Sequence, residues 1–326
     1  MDFKNQFKTP ILFLIFNRPD TTRIVFEKIK EIKPEKLFVA ADGPRLNKEG
    51  EKEKCEITRK IIDEIDWDCE VKTLFREKNL GCGSAVNSAI GWFFDNVENG
   101  IILEDDCVPD LSFFNFCQEL LEKYKDDKRV FGISGFNPIS PMTNYPYSYF
   151  FSYYSGIWGW ATWRRAWRLY DFKIEKWSNL RNTPWLLDFS LGEEMEKLMR
   201  RNFDSILDRK IDTWDFQLDF ALLNNNSFFI HPAVNLVKNI GFGHQDATFT
   251  KAINKIANTK VIPMKFPLIH PEKVIREDKV ERLIFDRFFK TSGPVGIVKS
   301  MLKKNKYIYK VSILFNNLLR RFFNKK

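Results

Sequence analysis

Three apolar runs in this chain end the same way, and that repetition constrains its fold more than any other feature. ILFLIF (residues 11–16) stops at Asn17, Arg18 and Pro19; LFVAA (37–41) stops at Asp42, Gly43 and Pro44; IIL (101–103) stops at Glu104, Asp105 and Asp106. A short run that is apolar at every position, rather than at alternate ones, marks a strand covered on both faces. Segments of helical spacing lie between the runs. TTRIVFEKIKEI brings Ile24, Val25, Lys28, Ile29 and Ile32 into helical register and is stopped by Pro34. A charged helical segment runs from Glu51 to Ile65. After a third strand near CEVKTLF, the turn NLGCGSA (79–85) opens a helix from about Ser84 to Val97. Asp110 can accept the free amides of the first turn of LSFFNFCQELLEKYK, and VFGISGF reads as the next strand.

Strand, helix and strand at this spacing predict parallel βαβ units in an α/β, doubly wound, mostly parallel sheet flanked by helices. Such sheets bind ligands at the carboxyl ends of their strands, where all three polar clusters fall. After Pro141 the texture changes to an aromatic-rich loop region, two helices and a short strand pair near SFFIHPAVNLVKNIG. The expected organisation is a βαβ half over 1–140, a mixed α+β half over 141–260, and an extension over 261–326 that ends in a basic helical tail.

Composition narrows the class. With 44% apolar residues, 32 Phe and 9 Trp, the chain can bury a core and is not disordered. No uncharged apolar run approaches the roughly 18 residues of a membrane-spanning helix. MDFKNQFKTP lacks the apolar stretch of a secretory signal, so a cytoplasmic location is expected. The net charge is +9, but nine Lys or Arg residues and no acid lie between Lys299 and Lys326, leaving the remainder near neutral. No nucleic-acid partner is expected. The tail alternates these cations with Ile, Leu and Phe. Such a basic amphipathic helix can lie on an anionic inner leaflet, peripheral to the plasma membrane, or dock on the domain with its lysines solvated. Cys55, Cys69, Cys82, Cys107 and Cys117 are odd in number and form no CxxC pair, so reduced, mostly buried thiols are expected. With His only at 231, 244 and 270, a His/Cys metal site is not expected.

Several groups could carry chemistry. Glu104-Asp105-Asp106 holds three carboxylates on one turn, and their repulsion calls for a counter-charge. Mg²⁺ or Mn²⁺ completed by diphosphate oxygens would supply it; a solvated acidic turn is the alternative. IDTWDFQLDFALLNNN reads as a helix with Asp212, Asp215 and Asp219 at i, i+3 and i+7, a carboxylate stripe flanked by apolar residues. Carboxylates so placed hold protons more tightly and suit a general base; the bland reading is that Asp212 caps the helix and the others pair with Lys or Arg. YYSGIWGWATWRRAW, with Trp158, Gly159 and Trp160 at its centre, reads as an acceptor or lid loop, or else as a buried packing loop. GFGHQDATFT offers His244 and Asp246 as further metal or diphosphate contacts. NLGCGSA lacks the third glycine of a dinucleotide fingerprint, and no P-loop GK[ST] is present.

The strings FNRPD, VAADGPR, NLGCGSAVNSAI, ILEDDCVPD and GFGHQDATFT, in this order over roughly residues 9–250, resemble a bacterial glycosyltransferase of the nucleotide-diphospho-sugar transferase superfamily, the Rossmann-like GT-A fold. EDDxxxxxxFF, followed by GWGW and a later Trp-Asp, is similar to the inverting N-acetylglucosaminyltransferase I branch. The resemblance implies that residues 1–140 bind a nucleotide-sugar, with UDP the expected carrier, and that 141–260 hold the acceptor and the base. It implies Asp106 as a direct metal ligand, Asp105 near the ribose or the metal through water, and Glu104 facing the donor sugar or acceptor. Asn17, Arg18 and Asp42 would hold the nucleotide, Asp42 accepting from a uracil edge, and Asn79, Gly81 and Gly83 would close over the ribose. The base falls on Asp215, with Asp219 the second choice. The activity implied is metal-dependent hexosyl transfer to a glycan or lipid-linked glycan in surface polysaccharide synthesis, lipopolysaccharide or capsule. A non-catalytic sugar-nucleotide-binding scaffold protein and a sugar nucleotidyltransferase are the alternatives, although the latter usually carries a GxGxR-type loop where this chain has FNRPD.

Overall fold

The computed structural model describes residues 6–245, 256 and 258–289. The tail from Ser300 and Asp246 lie outside the described residues. Two compact units divide the chain, Met1–Glu281 and Arg282–Lys326, and the sheet and the site belong to the first. In the second, the described residues are helical.

Alternation holds through the first half: β1 (Ile11–Ile15), α1 (Pro19–Ile32), β2 (Lys36–Ala41), α2 (Glu51–Arg59), β3 (Glu70–Phe75), α3 (Cys82–Asn96) and β4 (Asn99–Glu104). Then come β5 (Cys107–Pro109), α4 (Leu111–Lys123), β6 (Val130–Ser134), β7 (Tyr149–Ser152), β8 (Trp160–Trp163) and α5 (Arg164–Trp167). They are followed by α6 (Trp177–Leu180), α7 (Glu193–Leu207), α8 (Asp215–Asn224), β9 (Phe228–Pro232), β10 (Val237–Asn239) and α9 (Asp278–Ile284). The eight-stranded sheet has the order β3-β2-β1-β4-β8-β6-β9-β7. Pairing is parallel from β3 through β4, antiparallel where β8 enters between β4 and β6, parallel from β6 to β9, and antiparallel at β7. This is the α/β, mostly parallel sheet with flanking helices that the alternation predicts. Segments 1–140 and 141–260 share it.

Both faces of the sheet are covered, as the continuous apolar runs require. Ile11, Phe13 and Ile15 of β1, with Leu37 and Val39 of β2 and Ile101 and Leu103 of β4, pack on one side with Val25, Phe26 and Ile29 of α1 and Phe113 and Phe116 of α4. The alternate residues, Leu12, Leu14, Phe38 and Ile102, pack on the other side with Ala89 and Phe93 of α3, with Trp214 just before α8, and with Leu218 of α8. Glu104 follows Leu103, so the pleat turns it toward the face carrying α3 and α8.

Two expectations for the second half are corrected. The strands near SFFIHPAVNLVKNIG do not pair with each other: β9 joins the main sheet and β10 pairs antiparallel with β5. The segment read as an aromatic loop contributes β8, a central strand; a four-residue strand among aromatics has no alternation long enough to show. Asp110 caps α4 as expected, its carboxylate accepting from the Ser112 amide at 2.9 Å.

Candidate active site

Pro19 opens α1 with its φ already suited to a helix, which places Arg18 at the N-cap. The Arg18 carbonyl accepts from the Thr22 amide at 3.0 Å and from its hydroxyl at 2.6 Å, so the backbone there is fixed. Its side chain reaches across to the acidic turn after β4. Arg18 Nη1 lies 2.9 Å from Asp106 Oδ2 and 3.8 Å from Asp105 Oδ1. Burial works against the guanidinium charge, yet Asp105 and Asp106 outweigh it and hold Arg18 above its ordinary pKa. Asn17, also buried, donates to Glu51 Oε1 at 2.9 Å and so braces the loop before α2.

Asp105 and Asp106 are buried, and Glu104 is half-buried. Burial and mutual repulsion raise the proton affinity of Glu104 and Asp105, with Arg18 opposing the rise. The β5–β10 ribbon sets Asn239 opposite Cys107 and brings the next loop against the turn. The Ile240 amide donates to the Asp106 carbonyl at 2.8 Å. Gly241 follows, and a Cβ there would come within 2.1 Å of Asp106 Oδ2, so only glycine lets this loop back the carboxylate.

Asp42 plays a different part from the expected one. Its oxygens accept from the amides of Gly43 (2.9 Å), Leu80 (3.0 Å) and Gly81 (3.2 Å) and from Asn79 Nδ2 (3.0 Å). Burial raises its pKa against these bonds. Its lone pairs are filled by the chain's own donors, so Asp42 fastens the glycine turn to the end of β2 and is not free to read a uracil edge. Gly81 has φ +82° and leads into α3, whose N-cap position offers no side chain. Asp212 supplies the acceptor, taking the Gly83 amide at 3.0 Å. This corrects the stripe of three carboxylates. Asp212 stands outside α8, exposed, and places its negative charge at the positive end of α3.

Asp215 is the first residue of α8. The Thr213 hydroxyl and the Phe216 amide both donate to its Oδ1. Burial raises its pKa. Asp219, one turn on, accepts from the Ser155 amide at 2.9 Å; burial pushes its pKa up to about 7 from an ordinary 3.8. Thr213 carried no signal of its own in the sequence beyond its place two residues before an Asp.

The aromatic segment divides. Trp160 is fully buried and stacks on Trp214 at 5.7 Å, and Gly159 is buried with its carbonyl accepting from the Gly135 amide at 2.7 Å. Truncating a fully buried Trp typically costs about 3–5 kcal/mol. Both are therefore core residues and cannot face an acceptor. Trp158 stays half-buried, with its ring 4.1 Å from Phe136 and 5.4 Å from Phe242. His244 Nε2 lies 3.1 Å from Asp20 Oδ2. Of the cysteines, Cys55, Cys107 and Cys117 are buried, but Cys82 is exposed at the start of α3, within electrostatic reach of Glu104, Asp212 and Asp215.

One constellation results. Glu104 from β4, Cys82 from α3 and Asp215 from α8 lie within electrostatic reach of one another on one face of the sheet: burial and the nearby carboxylates, Glu104 and Asp215 among them, push the Cys82 thiol up, and Asp215 adds to the rise at Glu104. Asp105, Asp106 and Arg18 adjoin them. Asp105 Oδ2 is buried with no hydrogen-bond partner, as is Arg18 Nε. An unpartnered carboxylate oxygen beside a second carboxylate is a donor set of the kind a hard divalent ion takes. Among the described residues, no three His, Cys, Asp or Glu side chains make a complete metal site, so a cation here would need oxygens from a ligand.

No family model matches the chain, and no curated protein matches it. Among solved structures it is similar to HddC from Yersinia pseudotuberculosis, with 10% identity over 71% of this chain and 93% of that one and a TM-score of 0.36. It is similar to 4-diphosphocytidyl-2C-methyl-D-erythritol synthase from Anaerococcus prevotii, with 7% identity over 69% and 89% and a TM-score of 0.36. Mouse xyloside xylosyltransferase 1 in its apo form shows 11% identity over 68% and 84%, with a TM-score of 0.34. Scores at this level leave the fold and the chemistry to the chain's own topology and residues.

Proposed function

We propose that this chain is an inverting, metal-dependent glycosyltransferase of GT-A type that moves a sugar from a UDP-linked donor to a glycan or lipid-linked acceptor. The observation that carries the reading is the Glu104-Asp105-Asp106 turn at the carboxyl end of β4, with Arg18 paired to Asp105 and Asp106 and with Asp215 within electrostatic reach of Glu104. Asp105 and Asp106 would hold Mn²⁺ or Mg²⁺, which when bound offsets the charge of the leaving diphosphate.

Inversion needs one proton acceptor and no enzyme nucleophile. Asp215 fits that task. Both hydrogen bonds from its neighbours fall on Oδ1, which fixes the carboxylate and leaves Oδ2 to take the acceptor hydroxyl proton. The deprotonated oxygen bonds to the anomeric carbon as the bond to the diphosphate breaks, and the electron pair leaves with the nucleotide. Asp219 is tied to Ser155, so it positions the aromatic segment while Trp158 offers a face to the acceptor sugar. The basic tail would bring the enzyme to an anionic membrane bearing such acceptors.

The test is a panel of sugar nucleotides incubated with Mn²⁺ and candidate acceptors, with nucleotide release and anomeric configuration as readouts. Transfer with inversion from one donor supports the reading. Nucleotide binding without donor consumption across the panel would leave a binding protein instead.

A further inference from the structure

We propose that Arg18 is a resident counter-ion that keeps Asp105 and Asp106 closed to a divalent cation until the donor diphosphate arrives. The inference rests on the metal-dependent reading above. One nitrogen, Nη1, serves both carboxylates, at 2.9 Å from Asp106 Oδ2 and 3.8 Å from Asp105 Oδ1. A guanidinium ordinarily engages carboxylates through two nitrogens in parallel. Here Nε is buried and donates to nothing, and Asp105 Oδ2 is buried and accepts from nothing. Arg18 therefore balances the turn only in part and leaves an oxygen open.

A cation that used Asp106 Oδ2 would compete with Arg18 for the same atom and would meet a like charge at contact distance. A diphosphate changes both terms, because it brings oxygens for the cation and a negative partner for the displaced guanidinium. Metal and donor are then positively coupled, each binding better in the presence of the other. The backbone supports a side-chain movement alone. The Arg18 carbonyl is held by Thr22, and Gly241 packs against Asp106 so closely that the carboxylate has no room on that side. Arg18 is in this sense a positioning residue.

Mn²⁺ binding, followed by loss of the free-ion paramagnetic resonance signal, tests this on the full chain with and without UDP. Wild type should bind Mn²⁺ at least tenfold more tightly with UDP than without. Arg18→Gln should bind Mn²⁺ alone at least tenfold more tightly than wild type does, and Arg18→Lys, which keeps the charge, should behave as wild type. Wild-type melting gives a second readout that needs no variant: Mn²⁺ alone should leave Tm unchanged and Mn²⁺ with UDP should raise it. Equal Mn²⁺ affinity in wild type and Arg18→Gln without UDP, or an equal Tm rise with and without UDP, overturns the gate while leaving the metal site. No Mn²⁺ binding by any form, with UDP present or absent, overturns the metal reading and the gate with it.

Discussion

Two strand ends in this molecule carry carboxylates, and they are finished in opposite ways. At the end of β2, the oxygens of Asp42 receive three backbone amides and one side-chain amide. At the end of β4, Arg18 pairs with Asp105 and Asp106, Asn239 Nδ2 and Cys107 Sγ each lie 3.4 Å from Asp106 Oδ1, and Asp105 Oδ2 receives nothing. Burial is common to both; partners are not. A buried acceptor without a donor costs about 1–3 kcal/mol, more when charged, so a fold keeps one only where something else supplies the partner. The saturated carboxylate holds the glycine turn, and the unsaturated cluster is the part that, on the proposed reading, takes a ligand.

Four substitutions or conditions break or sharpen that contrast. Asp106→Ala removes the carboxylate that Arg18 engages most closely, and transfer should fall about 10³-fold while circular dichroism shows an intact fold. Retained activity of that variant, or full wild-type activity in EDTA, would move the metal site elsewhere.

Asp215→Asn keeps the shape and the α8 start but removes the proton acceptor. Transfer should drop about 10²-fold with donor affinity nearly unchanged, whereas Asp219→Asn should cost less than about tenfold. The reverse order of losses would assign the base to Asp219.

Asp42→Asn tests the saturated end. The substituted amide points N–H groups at amides that need an acceptor, so we expect a loss of about 2 kcal/mol in stability. Donor KM should rise about tenfold with kcat within about twofold, because the glycine turn shifts while the reacting groups stay. A change confined to kcat would contradict a role in holding the turn.

The smallest effect is on pH. Asp219 binds its proton more tightly in the folded chain (pKa about 7) than when unfolded (near 3.8). Folded protein then carries more protons at this group between those values, so the contribution of Asp219 to stability is greatest below about pH 4 and is lost as pH rises toward 7. Asp219→Asn should flatten part of that decline, seen as a smaller difference between Tm at pH 5 and pH 8. An unchanged slope would show that Glu104, Asp105 or another buried acid sets it.

The sequence by itself determined the parallel half of the sheet and the polar rim at the carboxyl ends of its strands. ILFLIF, LFVAA and IIL are apolar at every position because both faces of those strands are covered, and the polar residues that end them sit where the chain leaves the core. Asn17, Arg18, Asp42 and the acidic turn were legible for that reason. What each of these side chains touches was decided only by tertiary structure. The spacing of Asp212, Asp215 and Asp219 fits one helix, but a helix begins where its caps lie, and Thr213 and Trp214 set the start at Asp215, releasing Asp212 to cap α3. WATW gives no periodicity of its own and becomes a strand because β4 and β6 leave an antiparallel place between them, which buries Trp160 and Gly159. Asp42 and Asp106 look alike in sequence, each an acid after an apolar run. The difference between them lies in which donors arrive from residues distant in the chain, the Asn79-Leu80-Gly81 turn at Asp42 and the Arg18 and Asn239 side chains at Asp106, and those arrivals depend on how the whole sheet and its loops close.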